Sequence, residues 1–188
     1  MPDSQISQVY DDQTLQALLD KEAIRDLVRN YSRGVDRQDF KLLRSLYADD
    51  GYEDDHGGAY TGSAEGYVDW LESVMGRVVN SSHMIHQHQV VLESETTAQG
   101  EVYLSGHSRL EVPGGHEDLT HGMRYLDHYT KRDGKWLFQR RTIIVDSLYA
   151  SPTHWDPSRD DTKDAEFGTP GPKDASYRVL SVPFFKRR

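Results

Sequence analysis

Apolar residues change period partway along this chain, and that switch limits the fold more than any other feature. Through residue 75 they recur at helical spacing. Ile24, Leu27, Val28, Tyr31 and Val35 form one stripe, Phe40, Leu43, Leu46 and Tyr47 a second, and Tyr67, Trp70, Leu71, Val74 and Met75 a third. The spacing predicts a helix over 14–34, a second capped by Asp39 and a third capped by Ser63. Gly34 is expected to stop or kink the first, and the Asp49-Asp50-Gly51 turn to end the second. Residues 52–60 are polar and glycine-containing, and read as a short irregular strand or loop. From about residue 83 the period falls to two. Strands are expected over 83–93, 97–112, 119–131 and 135–148, joined by short turns. Asp133-Gly134 is the strongest hairpin signal, because both central residues of such a turn need positive φ. One-sided helices followed by a mostly antiparallel meander imply an α+β fold with the helices packed on one face of the sheet. A strongly curved sheet then makes a cone with a hollow.

One domain, 1–148, accounts for these elements, followed by an arm, 149–188, rich in Pro, Gly and Asp up to Tyr177-Arg178-Val179-Leu180 and Val182-Pro183-Phe184-Phe185. The arm is either a surface tail or a cover for the hollow's mouth or a neighbouring subunit; its aromatic end would otherwise be exposed. Against 22 Lys and Arg stand 31 Asp and Glu, a net charge of −9 that suits neither a phosphate backbone nor an anionic membrane surface. The chain has no cysteine, which removes disulfides, thiolate metal sites and a cysteine nucleophile. No secretory leader is evident, and the longest aliphatic run, Ile143-Ile144-Val145, is far short of a membrane span. The expectation is a soluble, cytoplasmic protein with no nucleic-acid or membrane partner. Gly-rich phosphate cradles, dinucleotide fingerprints and nucleophile elbows are absent, so no cofactor is expected. His86 and His88 share a strand face, and His56, His121, His128 and His154 have no evident place. Without three or four converging ligands no metal is expected either.

The run Asp20-Lys21-Glu22-Ala23-Ile24-Arg25-Asp26-Leu27, with Tyr31, Asp36 and Asp39-Phe40, resembles the first helices of the SnoaL-like branch of the nuclear transport factor 2-like superfamily. Ser82-His83-Met84-Ile85 with Ala98, and Tyr125, Asp127, Asp133-Gly134-Lys135-Trp136 and Arg141 in the last hairpin, extend the resemblance over residues 14–148. It implies a cone-shaped barrel whose pocket lies between a curved sheet and the helices. Members include scytalone dehydratase-like, bile-acid dehydratase-like and dehydrochlorinase-like lyases, isomerases, polyketide cyclases and the noncatalytic β subunits of ring-hydroxylating dioxygenases. Fold alone therefore leaves the chemistry open.

In the lyase members the resemblance implies an Asp on the first helix hydrogen-bonded to a His on the first long strand, here Asp36 and His83. An imidazole titrates near neutrality and can take a proton from carbon or oxygen, while the carboxylate behind it fixes the tautomer. On periodicity alone Asp36 is a solvated carboxylate or a cap, about 140° round the helix from Tyr31 at 100° per residue. Strict alternation sets His83, Ile85 and Gln87 opposite His86, His88 and Val90, and a one-residue slip would hand the base's role to His86. The resemblance gives Tyr31 the task of polarising a carbonyl; the plain alternative is a core tyrosine. His107 stands where scytalone dehydratase-like members carry a second histidine, and lone strand histidines are more often structural. Arg141 either clamps an anionic substrate or pairs with a carboxylate. Tyr52, Tyr60, Trp70, Tyr103 and Tyr125 suit a wall for a flat ring, or ordinary packing. The expected function is a cofactor-independent lyase, by dehydration or retro-aldol cleavage, acting on a small hydroxylated aromatic or polycyclic compound. An isomerase or cyclase is the runner-up and a noncatalytic subunit or small-molecule binder the alternative. The family's habits imply a homodimer or homotrimer.

Overall fold

The computed structural model describes residues 11–153 and 156–180. Helix α1 (Asp12–Asp36) starts where the Asp11 side chain accepts the Thr14 N–H at 2.7 Å, and it buries the predicted stripe of Ile24, Leu27, Val28, Tyr31 and Val35. It does not stop at Gly34. A Cβ there would lie 2.7 Å from the Leu43 side chain, so the glycine serves close packing of α2 (Phe40–Arg44) and leaves α1 unbroken. Asp39 caps α2 as expected, but the helix ends at Arg44, and Tyr47 opens a strand instead of closing a helix. That strand, β1 (Tyr47–His56), replaces the expected turn and loop. After the two-residue β2 (Gly62–Ser63), Ser63 caps α3 (Ala64–Val74), which buries Tyr67, Val68 and Leu71 and ends in a 3-10 turn, Met75–Arg77.

Four long strands follow: β3 (Val78–Leu92), β4 (Thr97–Val112), β5 (Gly115–Arg132) and β6 (Lys135–Thr153). The sheet order is β2-β1-β6-β5-β4-β3, antiparallel throughout except for the parallel pair β1 and β6. The fold is α+β, with a curved, unclosed sheet. Asp133 and Gly134 have φ of 51° and 75°, the positive values the hairpin turn demands. Helix α1 lies along β3 and α3 against β1, so both cover one face. On that inner face Val90, Ala98, Val102, Leu104, Tyr125, Tyr129, Trp136, Phe138 and Ile143 join the helix stripes in a single core.

Strand β6 runs on to Thr153, past the predicted end at 148. Further along, the chain returns to the last turn of α1 and the start of β3. The Arg37 guanidinium donates to Asp174 at 2.9 Å and to the Thr169 carbonyl at 3.1 Å. Gly171 N–H donates to the Arg37 carbonyl at 2.7 Å, and Asn80 to the Gly168 carbonyl at 2.8 Å. Arg33 reaches the Ser176 hydroxyl and lies over the Tyr177 ring, at the short helix α4 (Ser176–Val179). The aromatic run at 182–185 and His154 lie outside the described residues. Among the described residues no helix is long and apolar enough to cross a membrane.

Candidate active site

Asp36 is the last residue of α1, where a carboxylate faces the negative end of the helix dipole and gains nothing from it. Strand β3 supplies what the helix does not. Asp36 Oδ1 lies 2.7 Å from His83 Nδ1 and accepts the Ser81 hydroxyl at 3.1 Å, and Oδ2 accepts the His83 backbone N–H at 2.9 Å. Burial pushes this carboxyl up. The His83 ring, its charge, the backbone N–H and Ser81 outweigh that and hold it below the ordinary carboxylate value. A carboxylate only accepts, so His83 carries its proton on Nδ1 and presents the Nε2 lone pair. The two side chains keep 14% and 12% exposure, enough to leave the ring edge reachable.

Strand register decides what shares this face. His83 stands beside Gly106, Gly106 beside His121, and His121 beside Leu148. An ideal Cβ on Gly106 would sit 3.6 Å from His83 Nε2, so the glycine leaves the space between two imidazoles clear. Burial, then the charge of His83, hold His121 below the ordinary histidine value, against a hydrogen bond to the Gly106 backbone. His121 is one of the four histidines that had no evident place in the sequence. Its odd-numbered position on β5, in step with Met123 and Tyr125, carried the signal once register was known. The neighbouring inner residues Val145 and Leu148 stay 43% and 56% exposed, so this end of the face is an open apolar strip.

A bulge between Ile85 and Gln87 corrects the alternation argument. It puts His83 and Ile85 on the same inner face as His88 and Val90, and it leaves His86 outside, exposed and 2.7 Å from the Ser105 hydroxyl. His107 is likewise on the wrong face for its expected role. It pairs with Ser82 and Thr120, opposite His83, and its closest carboxylate is Asp118 at 3.9 Å. Tyr52 also lies outside, under the Arg140 guanidinium, as Tyr103 does beside Arg124.

Tyr31 and Tyr125 are inside but deep. The Tyr31 hydroxyl is 2.5 Å from that of Tyr67, and burial raises its ionisation well above the ordinary tyrosine value. Its ring packs edge-on against Tyr125 and Phe138. Arg141 is fully buried, with these three rings 4.1 Å from its guanidinium carbon, and makes paired bonds to Asp127 at 2.7 and 2.8 Å. Tyr129 donates to the same carboxylate and lies 3.0 Å from His88, whose imidazole burial pushes down to about 4. This chain of bonds is part of the packed core, though Arg141 Nη1 is buried with no partner among the described residues. Trp70 stacks on Tyr60 near the mouth of α3 and β1. Among the described residues no three His, Asp or Glu side chains gather as a metal site.

A curved, unclosed sheet with helices packed on its inner face is the α+β architecture of this class of domains. Residues 16–142 match the SnoaL-like domain, and the chain belongs to that family, within the nuclear transport factor 2-like superfamily. It is similar to a candidate scytalone dehydratase from Novosphingobium aromaticivorans, with 23% identity and a TM-score of 0.65 over 76% of this chain and 93% of that one. A hexachlorocyclohexane dehydrochlorinase, LinA-type3, from Novosphingobium barchaimii gives 24% and 0.65, over 76% and 98%. A candidate aromatic ring hydroxylase from Novosphingobium aromaticivorans gives 22% and 0.63, over 72% and 94%. At these identities the likeness is one of fold.

Proposed function

We propose that this protein is a cofactor-independent lyase acting on a small hydroxylated aromatic or polycyclic compound, with His83 as the base and Asp36 as its orienting partner. The observation that carries this reading is the Asp36–His83 pair, bonded through Nδ1 with Nε2 left free beside an open apolar strip. Two reactions can start from this one base. In dehydration, His83 Nε2 takes a proton from carbon, the C–H electrons form a C=C bond, and the C–O bond breaks. The proton returns from the imidazolium to the departing oxygen, and water leaves. In retro-aldol cleavage, Nε2 takes a hydroxyl proton, the oxygen forms a carbonyl, and the C–C bond breaks toward the other carbon. That carbon is then reprotonated. A positioned base contributes about 10²–10⁴-fold to either. In this reading His121, across Gly106, hydrogen-bonds the oxygen that changes charge.

Similarity to the dehydratase-like and dehydrochlorinase structures supports the lyase class. A role as a noncatalytic dioxygenase β chain leaves an oriented base on an accessible surface without a use. Incubating purified protein with a panel of aryl alcohols and diols, followed by mass spectrometry, tests the proposal. Loss of water or of a small aldehyde is expected. A panel returned intact, or one isomerised without loss of mass, contradicts it.

A further inference from the structure

The inner face carries a second carboxylate–imidazole pair, on β1. Glu53 lies beside Arg141, and His56 beside Ile143, in the β1–β6 register. Glu53 is fully buried; it accepts the Tyr47 hydroxyl, and its other oxygen lies 3.2 Å from His56 Nδ1. Arg141, its nearest guanidinium neighbour by register, is already engaged by Asp127, which leaves His56 as the direct ring partner of this buried carboxylate. The His56 side chain keeps 17% exposure, and its Nε2 has no bond among the described residues. Around it stand aromatic rings: Tyr67 at 4.5 Å and Trp70 at 5.7 Å, with Tyr60 stacked on Trp70. The next residue along, Gly57, would touch Val145 with a Cβ at 3.3 Å, so His56 borders the same uncovered strip that reaches His121 and His83.

We infer that Glu53 and His56 form a phenol-recognition site on the inner face, at the other end of the exposed strip from His83. His56 Nε2 takes the phenolic proton, the O–H electrons stay on oxygen as phenolate, and Glu53 stabilises the imidazolium. The flanking rings favour an aromatic group by stacking. The buried Glu53 charge disfavours a substrate that arrives as a carboxylate. Strands β1 and β3 are separated by β6, β5 and β4. At about 4.8 Å per strand that is about 19 Å along the sheet and less across its curve. A molecule meeting both His56 and His83 is therefore elongated, with two linked rings rather than one. The inference rests on reading the inner face as the substrate site, not on which bond His83 breaks.

The test uses 4-nitrophenol, whose phenolate absorbs in the visible, with the full chain. Bound to the wild type, the probe is expected to ionise about one pH unit lower than free in solution. His56→Gln should abolish that shift. Glu53→Gln should do the same, and because it changes a fully buried position its far-UV circular dichroism is recorded alongside; the rim variant His56→Gln decides if it misfolds. His83→Ala should leave the shift in place. A shift that survives His56→Gln, or no shift in the wild type, overturns the inference. A shift without turnover of any aryl diol upholds it while removing the lyase reading, and turnover without a shift does the reverse.

Discussion

The carboxylate of Asp36 is held by three donors, two of them from one residue, and this makes it a device for aiming an imidazole. Asp36→Asn keeps the shape and replaces an acceptor by an amide that can turn either end toward Nδ1. Its kcat should fall by about 10²–10⁴-fold with KM nearly unchanged, as expected for a group acting only on the base. Steady-state kinetics on any substrate the wild type consumes will check this, and an unaltered kcat removes Asp36 from the mechanism. The lowered carboxyl also has a thermodynamic consequence. Its stabilisation is fully present above the ordinary carboxylate range and is lost as pH falls through the lowered value. Arg141 shows the contrasting case of a charge turned inward: with both partners fully buried, its ion pair with Asp127 belongs to the scaffold.

At the scale of elements, one extra residue in β3 decides which histidines face inward. The bulge at His86 keeps His83 and His88 on one face although five positions separate them. His86→Ala should therefore leave stability within about 0.5 kcal/mol, as for ordinary surface substitutions. Deleting His86 removes the extra residue and leaves Ile85 and Gln87 opposite the consecutive residues Leu104 and Tyr103, so His83 and His88 should keep one face and the variant should still fold cooperatively. Urea titrations of the two variants will check this, and loss of the cooperative transition in the deletion variant would contradict this account of the register. The same bulge marks where sequence reasoning stops. The stripe of α1, the caps at Asp39 and Ser63, the long strands and the Asp133-Gly134 turn follow from local periodicity and turn chemistry and were legible, whereas the second stripe ran past the end of α2 into β1. A bulge has no local signature, and β1 is an acidic segment whose strand identity comes from pairing with β6. Register alone decides that Tyr52 and His107 face outward, and neither His121 nor the Glu53–His56 pair had a local signal to place it.

For the whole molecule, the segment around Asp174 ties the end of the chain to the helix turn that bears Asp36. Asp174 is buried with Arg37; burial opposes its ionisation, but Ser176, the Thr169 N–H and Arg37 overcome it and hold the carboxyl at about 2. A depressed carboxyl stabilises above its unfolded value and loses that effect as pH drops through the folded one. We expect residues 165–180 to detach from α1 between about pH 4 and pH 2, read as new protease cleavage there at acid pH. Asp174→Asn should expose the segment at neutral pH. A segment equally protected at pH 7 in that variant would show that Arg37 and Asp174 do not hold it.

The most direct measurement compares wild type with His83→Ala for turnover of aryl alcohols and diols, each protein verified as folded by circular dichroism. The account predicts water or aldehyde loss by the wild type and a fall of at least about 10²-fold in the variant; turnover undiminished in His83→Ala would contradict it.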